Sequence, residues 1–148
     1  MESFAILIPT RNRPKELSIL LRSIQKSTRL PKQVVVVASG QNVAHILDEL
    51  SKSLEIPCLH TEVTGQIAQK RLGVELVSKE VDWCLFLDDD LILKKSAIDL
   101  ALSAARSYEK KGHHRDRFKS FPFITFVKRF KTQQKIFGAF EALIKPAW

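Results

Sequence analysis

A three-layer α/β domain on a mostly parallel sheet is the fold class that this 148-residue sequence predicts. Short apolar, β-rich runs alternate with amphipathic helical patterns in the order βαβαβαβα, which calls for a parallel sheet with helices on both faces. Two of the runs, Phe4-Ala5-Ile6-Leu7-Ile8 and Val34-Val35-Val36-Val37, are apolar without a break, as in strands buried on both faces. The polar residues gather in the segments that follow the strands, at Thr10–Arg13, Ser39–Asn42 and Asp88–Asp90. In open α/β folds, ligands bind outside the carboxyl ends of the strands.

The first strand, residues 4–8, gives way to a polar loop, Pro9-Thr10-Arg11-Asn12-Arg13-Pro14. Pro14 suits the first turn of a helix. Leu17, Leu20, Leu21 and Ile24 follow at helical spacing and form one apolar face. The Val34–Val37 run is β-branched throughout, the clearest strand in the chain. A second helical stripe, Ile46, Leu47, Leu50 and Leu54, starts after Asn42, a candidate cap. Pro57-Cys58-Leu59-His60 predicts a short third strand. Gly65 precedes a third helix with Ile67, Val74 and Val77 inward and Ala68, Leu72 and Leu76 beside them. Trp83-Cys84-Leu85-Phe86-Leu87 is a fourth buried strand that runs straight into Asp88-Asp89-Asp90. A fourth helix fits Ser96 to about Lys110, with Ile98, Ala101, Leu102 and Ala105 inward.

Composition narrows the function classes. The chain is 45% hydrophobic and 27% charged, ordinary for one globular domain. Two cysteines rule out a disulfide scaffold, and there is no Cys-x-x-Cys zinc pair. No run reaches the roughly 20 apolar residues of a membrane-spanning helix. The start, Met1-Glu2-Ser3-Phe4, is acidic and does not read as a secretory signal, so a reduced cytoplasmic setting is expected. The net charge of +8 is unevenly placed. Residues 1–105 hold 13 basic and 13 acidic side chains, whereas residues 106–148 hold 11 and 3 together with seven of the nine Phe. The expected organisation is a body over residues 1–110 and a basic, Phe-rich extension over residues 111–148.

Along an extended chain, Asp88 and Asp90 would point to one side and Asp89 to the other. Two carboxylates about 5 Å apart repel by roughly 3 kcal/mol at an effective dielectric of 20. A proton, a basic side chain or a divalent cation must offset that. Mg²⁺ or Mn²⁺ prefers oxygen ligands and often joins one or two carboxylates to a substrate diphosphate. A solvated acidic turn is the bland alternative. Two phosphate-chemistry patterns fail on residue identity. Haloacid-dehalogenase-type phosphatases need Thr two residues beyond the second Asp of Asp-x-Asp, where this chain offers Ile92 or Lys94. Receiver domains need an acidic pair after the first strand, where this chain has Pro9-Thr10.

Ile8-Pro9-Thr10-Arg11-Asn12-Arg13-Pro14, the Val-rich strand ending near Ser39-Gly40, the segment Gly65…Gln69-Lys70-Arg71…Gly73, and Phe86-Leu87-Asp88-Asp89-Asp90 together resemble the family 2 glycosyltransferases. The likeness covers about residues 4–100, the nucleotide-sugar half of a GT-A fold. It implies transfer of a sugar from a nucleotide diphosphate-sugar of UDP or GDP type, usually inverting, with Mg²⁺ or Mn²⁺. By the same resemblance, Pro9 and Thr10 lie against base and ribose, and Arg11, Asn12 and Arg13 continue that loop. Asp88 faces ribose or metal, Asp90 is the metal-binding end of Asp-x-Asp, and Asp89 can exchange roles with either. Lys70 stands where the family has Arg before Asn, keeping a charge near the diphosphate without bidentate geometry. Arg71 replaces that Asn, and Ala38-Ser39 replaces an Asp that reads the base edge. The resemblance implies a domain cut short after the acidic motif, since 58 residues follow Asp90. Their acids are Asp99, Glu109, Asp116 and Glu141, none of which the sequence marks as a general base. The alternative function is therefore a non-catalytic or partner-dependent nucleotide-binding half-domain.

In the extension, residues 111–119 read as a linker and Phe121–Val127 as a strand able to join the sheet edge. Ile136, Phe137, Phe140, Leu143 and Ile144 form a helical stripe. That strand and helix either cover the core of the body or lay a basic face on an anionic membrane, which would suit a lipid-linked acceptor as well as a glycan. No nucleic-acid-binding motif appears. His45 and His60 read as structural, and adjacent His113 and His114 as solvated. Cys58 and Cys84 read as buried apolar residues, and Trp83 as packing.

Overall fold

The computed structural model describes residues 2–110, 118–121 and 124–128, with side-chain surroundings for residues 2–107. Strand β1 (Phe4–Arg11) divides its side chains between two cores. Phe4, Ile6 and Ile8 join one core, and Ala5 and Leu7 the other. The same alternation splits β2 (Gln33–Ser39) and β4 (Trp83–Leu87), so the sheet is covered on both faces. Helices α1 (Pro14–Gln25), α2 (Ala44–Leu50) and α4 (Ala97–Lys110) cover the first face, and α3 (Gln66–Leu76) covers the second. With β3 (Cys58–His60), β5 (Phe118–Phe121) and β6 (Ile124–Lys128), the sheet order is β3-β2-β1-β4-β6-β5. The first four strands are parallel, and β6 and β5 add antiparallel beyond β4. The chain fills one side of β1 with β2 and β3, then crosses to the other side with β4. The crevice of a topological switch point therefore opens between the carboxyl ends of β1 and β4.

The apolar stripe of α1 (Leu17, Leu20, Leu21, Ile24) is fully buried, with Pro14 in the first turn. Ile98, Ala101, Leu102 and Ala105 of α4 are buried as the periodicity predicts. The strand expected in the extension is present as β6 and pairs with β4 through Leu85↔Phe126 and its neighbours. The linker expected over residues 111–119 is shorter than predicted, because β5 takes Phe118 and Lys119 into the sheet. The 136–144 helical stripe, His113, His114, Asp116 and Glu141 lie outside the described residues. Among the described residues, no helix is long and apolar enough to cross a membrane.

Four local expectations are corrected. Pro9, Thr10 and Arg11 belong to β1 rather than to a loop, paired with Val37, Ala38 and Ser39. Asn12 gives its N–H to the Ser39 carbonyl, so even-numbered residues of β1 face β2 and Pro9 faces the β4 side. Pairing with β4 ends at Leu7, so the missing N–H of Pro9 interrupts no ladder. Asn42 lies one residue before the cap position, where its side-chain oxygen accepts the Ala44 N–H at 2.8 Å. Cys58 is exposed because β3 is an edge strand. Finally, α3 buries Gln69, Gly73 and Val74 and leaves Ile67 largely exposed. A Cβ on Gly73 would lie 2.7 Å from Leu7 and 2.8 Å from Val37, so the helix rides closely over β1 and β2 at that point.

Candidate functional site

The carboxyl edge is built by two interlocked turns and one helix. After β1, Asn12 adopts a left-handed backbone (φ 54°), which Asn tolerates better than most residues. Its side-chain oxygen accepts the Gln41 N–H at 2.9 Å. Gly40 sits against it at φ 78°, where a Cβ would fall 2.0 Å from that same oxygen. Only glycine lets the two turns approach this closely. Nε2 of His60 lies 3.0 Å from the Gly40 carbonyl, tying β3 to the same corner.

Gln69 anchors the edge from beneath. Its side-chain amide is buried and shares its two N–H groups among the Thr10 carbonyl (3.0 Å), the Val37 carbonyl (3.1 Å) and Ser39 Oγ (3.3 Å). One side chain of α3 thus spans the ends of β1 and β2. Sequence reasoning placed Gln69 within a motif segment but gave it no role. Its signal was a polar residue four positions before a glycine on one helical face, in a stretch whose apolar residues lie elsewhere.

The three aspartates part company at the end of β4. The strand stops at Leu87, and in the turn beyond it Asp89 is set apart from the more exposed Asp88 and Asp90. Asp89 turns inward. It accepts the Thr10 hydroxyl at 2.8 Å and lies 3.3 Å from an Arg13 guanidinium nitrogen, NH1. The same nitrogen lies 3.4 Å from Asp90 Oδ2. Asp88 stands apart, 3.6 Å from the Lys70 ammonium. Side-chain exposure follows this division: 9% for Asp89, 35% for Asp88 and 57% for Asp90.

Burial pushes the Asp89 carboxyl above the usual aspartate range, and the neighbouring Asp90 adds to the rise. The Thr10 hydroxyl and the Arg13 guanidinium pull the other way. Burial prevails because Arg13 is half exposed and water screens its charge.

Of the residues singled out in the sequence, Thr10, Arg13, Asp89 and Asp90 come together directly, Lys70 joins Asp88, and Ser39 is held by Gln69. Pro9 is buried within β1, and Arg11 is exposed at its end. The edge therefore offers oxygen ligands for a cation and fixed positive groups for an anion, side by side at the switch point.

Comparison with known proteins identifies the family and the fold. The family model described as "Glycosyl transferase family 2" matches residues 5–145. A protein of Haemophilus influenzae described as an uncharacterized glycosyltransferase is 31% identical over 86 residues, 58% of this chain and 29% of that protein. S. aureus TarS, solved in complex with UDP, superposes with a TM-score of 0.61 at 24% identity over 72% of this chain and 33% of its own. The mannosyltransferase PcManGT of Pyrobaculum calidifontis, solved with GDP-Man and Mn²⁺, gives 0.65 at 14% identity over 85% and 44%. At these identities the two solved structures share the fold. This chain spans about a third or less of the H. influenzae protein and of TarS.

Proposed function

This chain belongs to the family 2 glycosyltransferases, and from that premise we propose that its carboxyl edge binds the diphosphate of a nucleotide-sugar together with a divalent cation, for transfer of the sugar to an acceptor hydroxyl. One observation carries the reading. Thr10 and Arg13 from the end of β1 converge on the acidic turn after β4, with Lys70 of α3 completing it, although these residues are far apart in sequence.

In this reading Pro9, Thr10 and Ser39 line the nucleoside side. Arg11, Arg13 and Lys70 supply positive charge to the diphosphate. Asp89, buried and held by Thr10, fixes the turn and faces the ribose. Asp88 and Asp90, the two more exposed carboxylates, are the ligands for Mg²⁺ or Mn²⁺. Among the described residues no group of three or more His, Cys, Asp or Glu side chains converges on one point, so the donor set does not fit an all-protein metal cage. It does fit a hard cation that keeps several waters and takes one or two carboxylates plus substrate phosphates. Such a cation stabilises charge on a departing diphosphate. The fold is shared with proteins solved with UDP and with GDP-Man, so both nucleotides are candidates. The acceptor is proposed by class alone, as a glycan or lipid-linked hydroxyl.

Calorimetric titration of UDP and of GDP, each with Mn²⁺ and with EDTA, tests the reading on the wild type and on Asp90→Ala. One nucleotide binds only with Mn²⁺, and the substitution weakens it by roughly tenfold or more, the loss of one charge-assisted ligand. A folded chain that binds neither nucleotide, or binds one indifferently to metal and to Asp90, overturns it.

A further inference from the structure

The candidate cation ligands already carry positive partners. Nη1 of Arg13 lies 3.3 Å from Asp89 Oδ1 and 3.4 Å from Asp90 Oδ2, so one guanidinium offsets the charge of both carboxylates. Lys70 Nζ lies 3.6 Å from Asp88 Oδ1. All three contacts are longer than the about 2.7–2.9 Å of a tight charge-assisted hydrogen bond. Arg13 is 51% exposed, so its pairs are screened and cheap to break. The inner carboxylate differs, since Asp89 also accepts the Thr10 hydroxyl at 2.8 Å.

We propose that Arg13 and Lys70 are tethered counter-cations, which neutralise the acidic turn when no ligand is bound and pass to the diphosphate when a divalent cation takes the carboxylates, so that cation and nucleotide bind cooperatively. The inference rests on the donor-site reading above. Three carboxylates face two basic groups here. A cation arriving alone must displace Arg13 and Lys70 into water. With a diphosphate present, the displaced guanidinium gains a fork of phosphate oxygens and the ammonium a strong point-charge contact. The nucleotide thereby lowers the cost of cation binding, and by linkage the cation tightens the nucleotide by the same factor. Direct contact between cation and phosphate gives some coupling in any such site. The two basic side chains add to it.

The test is Mn²⁺ binding to the full chain, followed by the electron paramagnetic resonance signal of free Mn²⁺, with and without saturating UDP or GDP. Wild type, Arg13→Gln and Lys70→Gln are compared, each checked for folding by circular dichroism. In wild type, Mn²⁺ alone binds weakly and nucleotide tightens it. In Arg13→Gln, Mn²⁺ alone binds more tightly than in wild type, while the tightening by nucleotide shrinks by roughly fivefold or more. Lys70→Gln moves both quantities in the same directions. Unchanged or weaker binding of Mn²⁺ alone in both variants, or undiminished coupling, overturns this proposal and leaves the donor site standing. Failure of folded wild type to bind Mn²⁺ with either nucleotide overturns both.

Discussion

Helices α1 and α3 both lie on the sheet, and they bury different sets of residues. Helix α1 puts Leu17, Leu20, Leu21 and Ile24 into the core and owes its position to them. Helix α3 buries Gln69, Gly73 and Val74, and leaves Ile67 and Leu76 well exposed. One helix is held by apolar area, which is additive and insensitive to detail. The other buries only Val74 among its apolar residues and adds a close approach at Gly73 and hydrogen bonds at Gln69, which are specific and depend on placement. The helix without a clean stripe is also the one that reaches the carboxyl edge, through Gln69 and Lys70. In this domain α1 builds stability and α3 builds the site.

Substitutions separate the two roles. Leu21→Ala empties a fully buried position and should cost about 2–5 kcal/mol in chemical denaturation. Nucleotide affinity, measured well below the transition, should stay as in wild type. Gln69→Leu removes the donor to two carbonyls and the Ser39 hydroxyl and should cost less, about 1–2 kcal/mol. It should nevertheless weaken nucleotide binding roughly tenfold, because the ends of β1 and β2 lose their common tie. If Gln69→Leu melted like Leu21→Ala and bound nucleotide normally, the division of labour would be wrong. The smallest effect belongs to Ile67→Thr, below about 1 kcal/mol and silent in binding, since the residue is partly exposed and outside the core clusters. A large loss there would mean that the apolar residues of α3 carry it after all.

Legibility in the sequence follows the same line. The strands and helices whose burial is apolar were readable from composition and period: β1, β2, β4, α1 and α4 each carry enough Leu, Ile or Val to declare a face. The carboxyl edge was readable as a place, because Thr10, Arg13, Ser39 and Asp88–Asp90 all lie at or just past the carboxyl ends of strands. Its internal arrangement was not. The Thr10–Asp89 hydrogen bond joins residues 79 apart, and no local pattern encodes it. Alternation set Asp89 apart from Asp88 and Asp90, but which side of the turn faces inward was not legible. Gln69 was passed over because helical periodicity weighs apolar residues, and a buried amide looks like a solvated one. Pro9 marked a loop by its identity, yet it pairs in β1 because the neighbouring ladder ends at Leu7.

The close packing at Gly73 has a consequence for how variation in this chain would be read. A methyl group there meets Leu7 and Val37, the odd-numbered side chains beneath α3. Relief comes from shifts of those two side chains or from the helix lifting, and Lys70 and Gln69 lie on the turn just before. An alanine at this position would therefore surface in a screen as a weak binder, although the residue touches no ligand. Its suppressors would map to Leu7 or Val37, where a smaller side chain restores the gap, rather than to the acidic turn where the defect is measured.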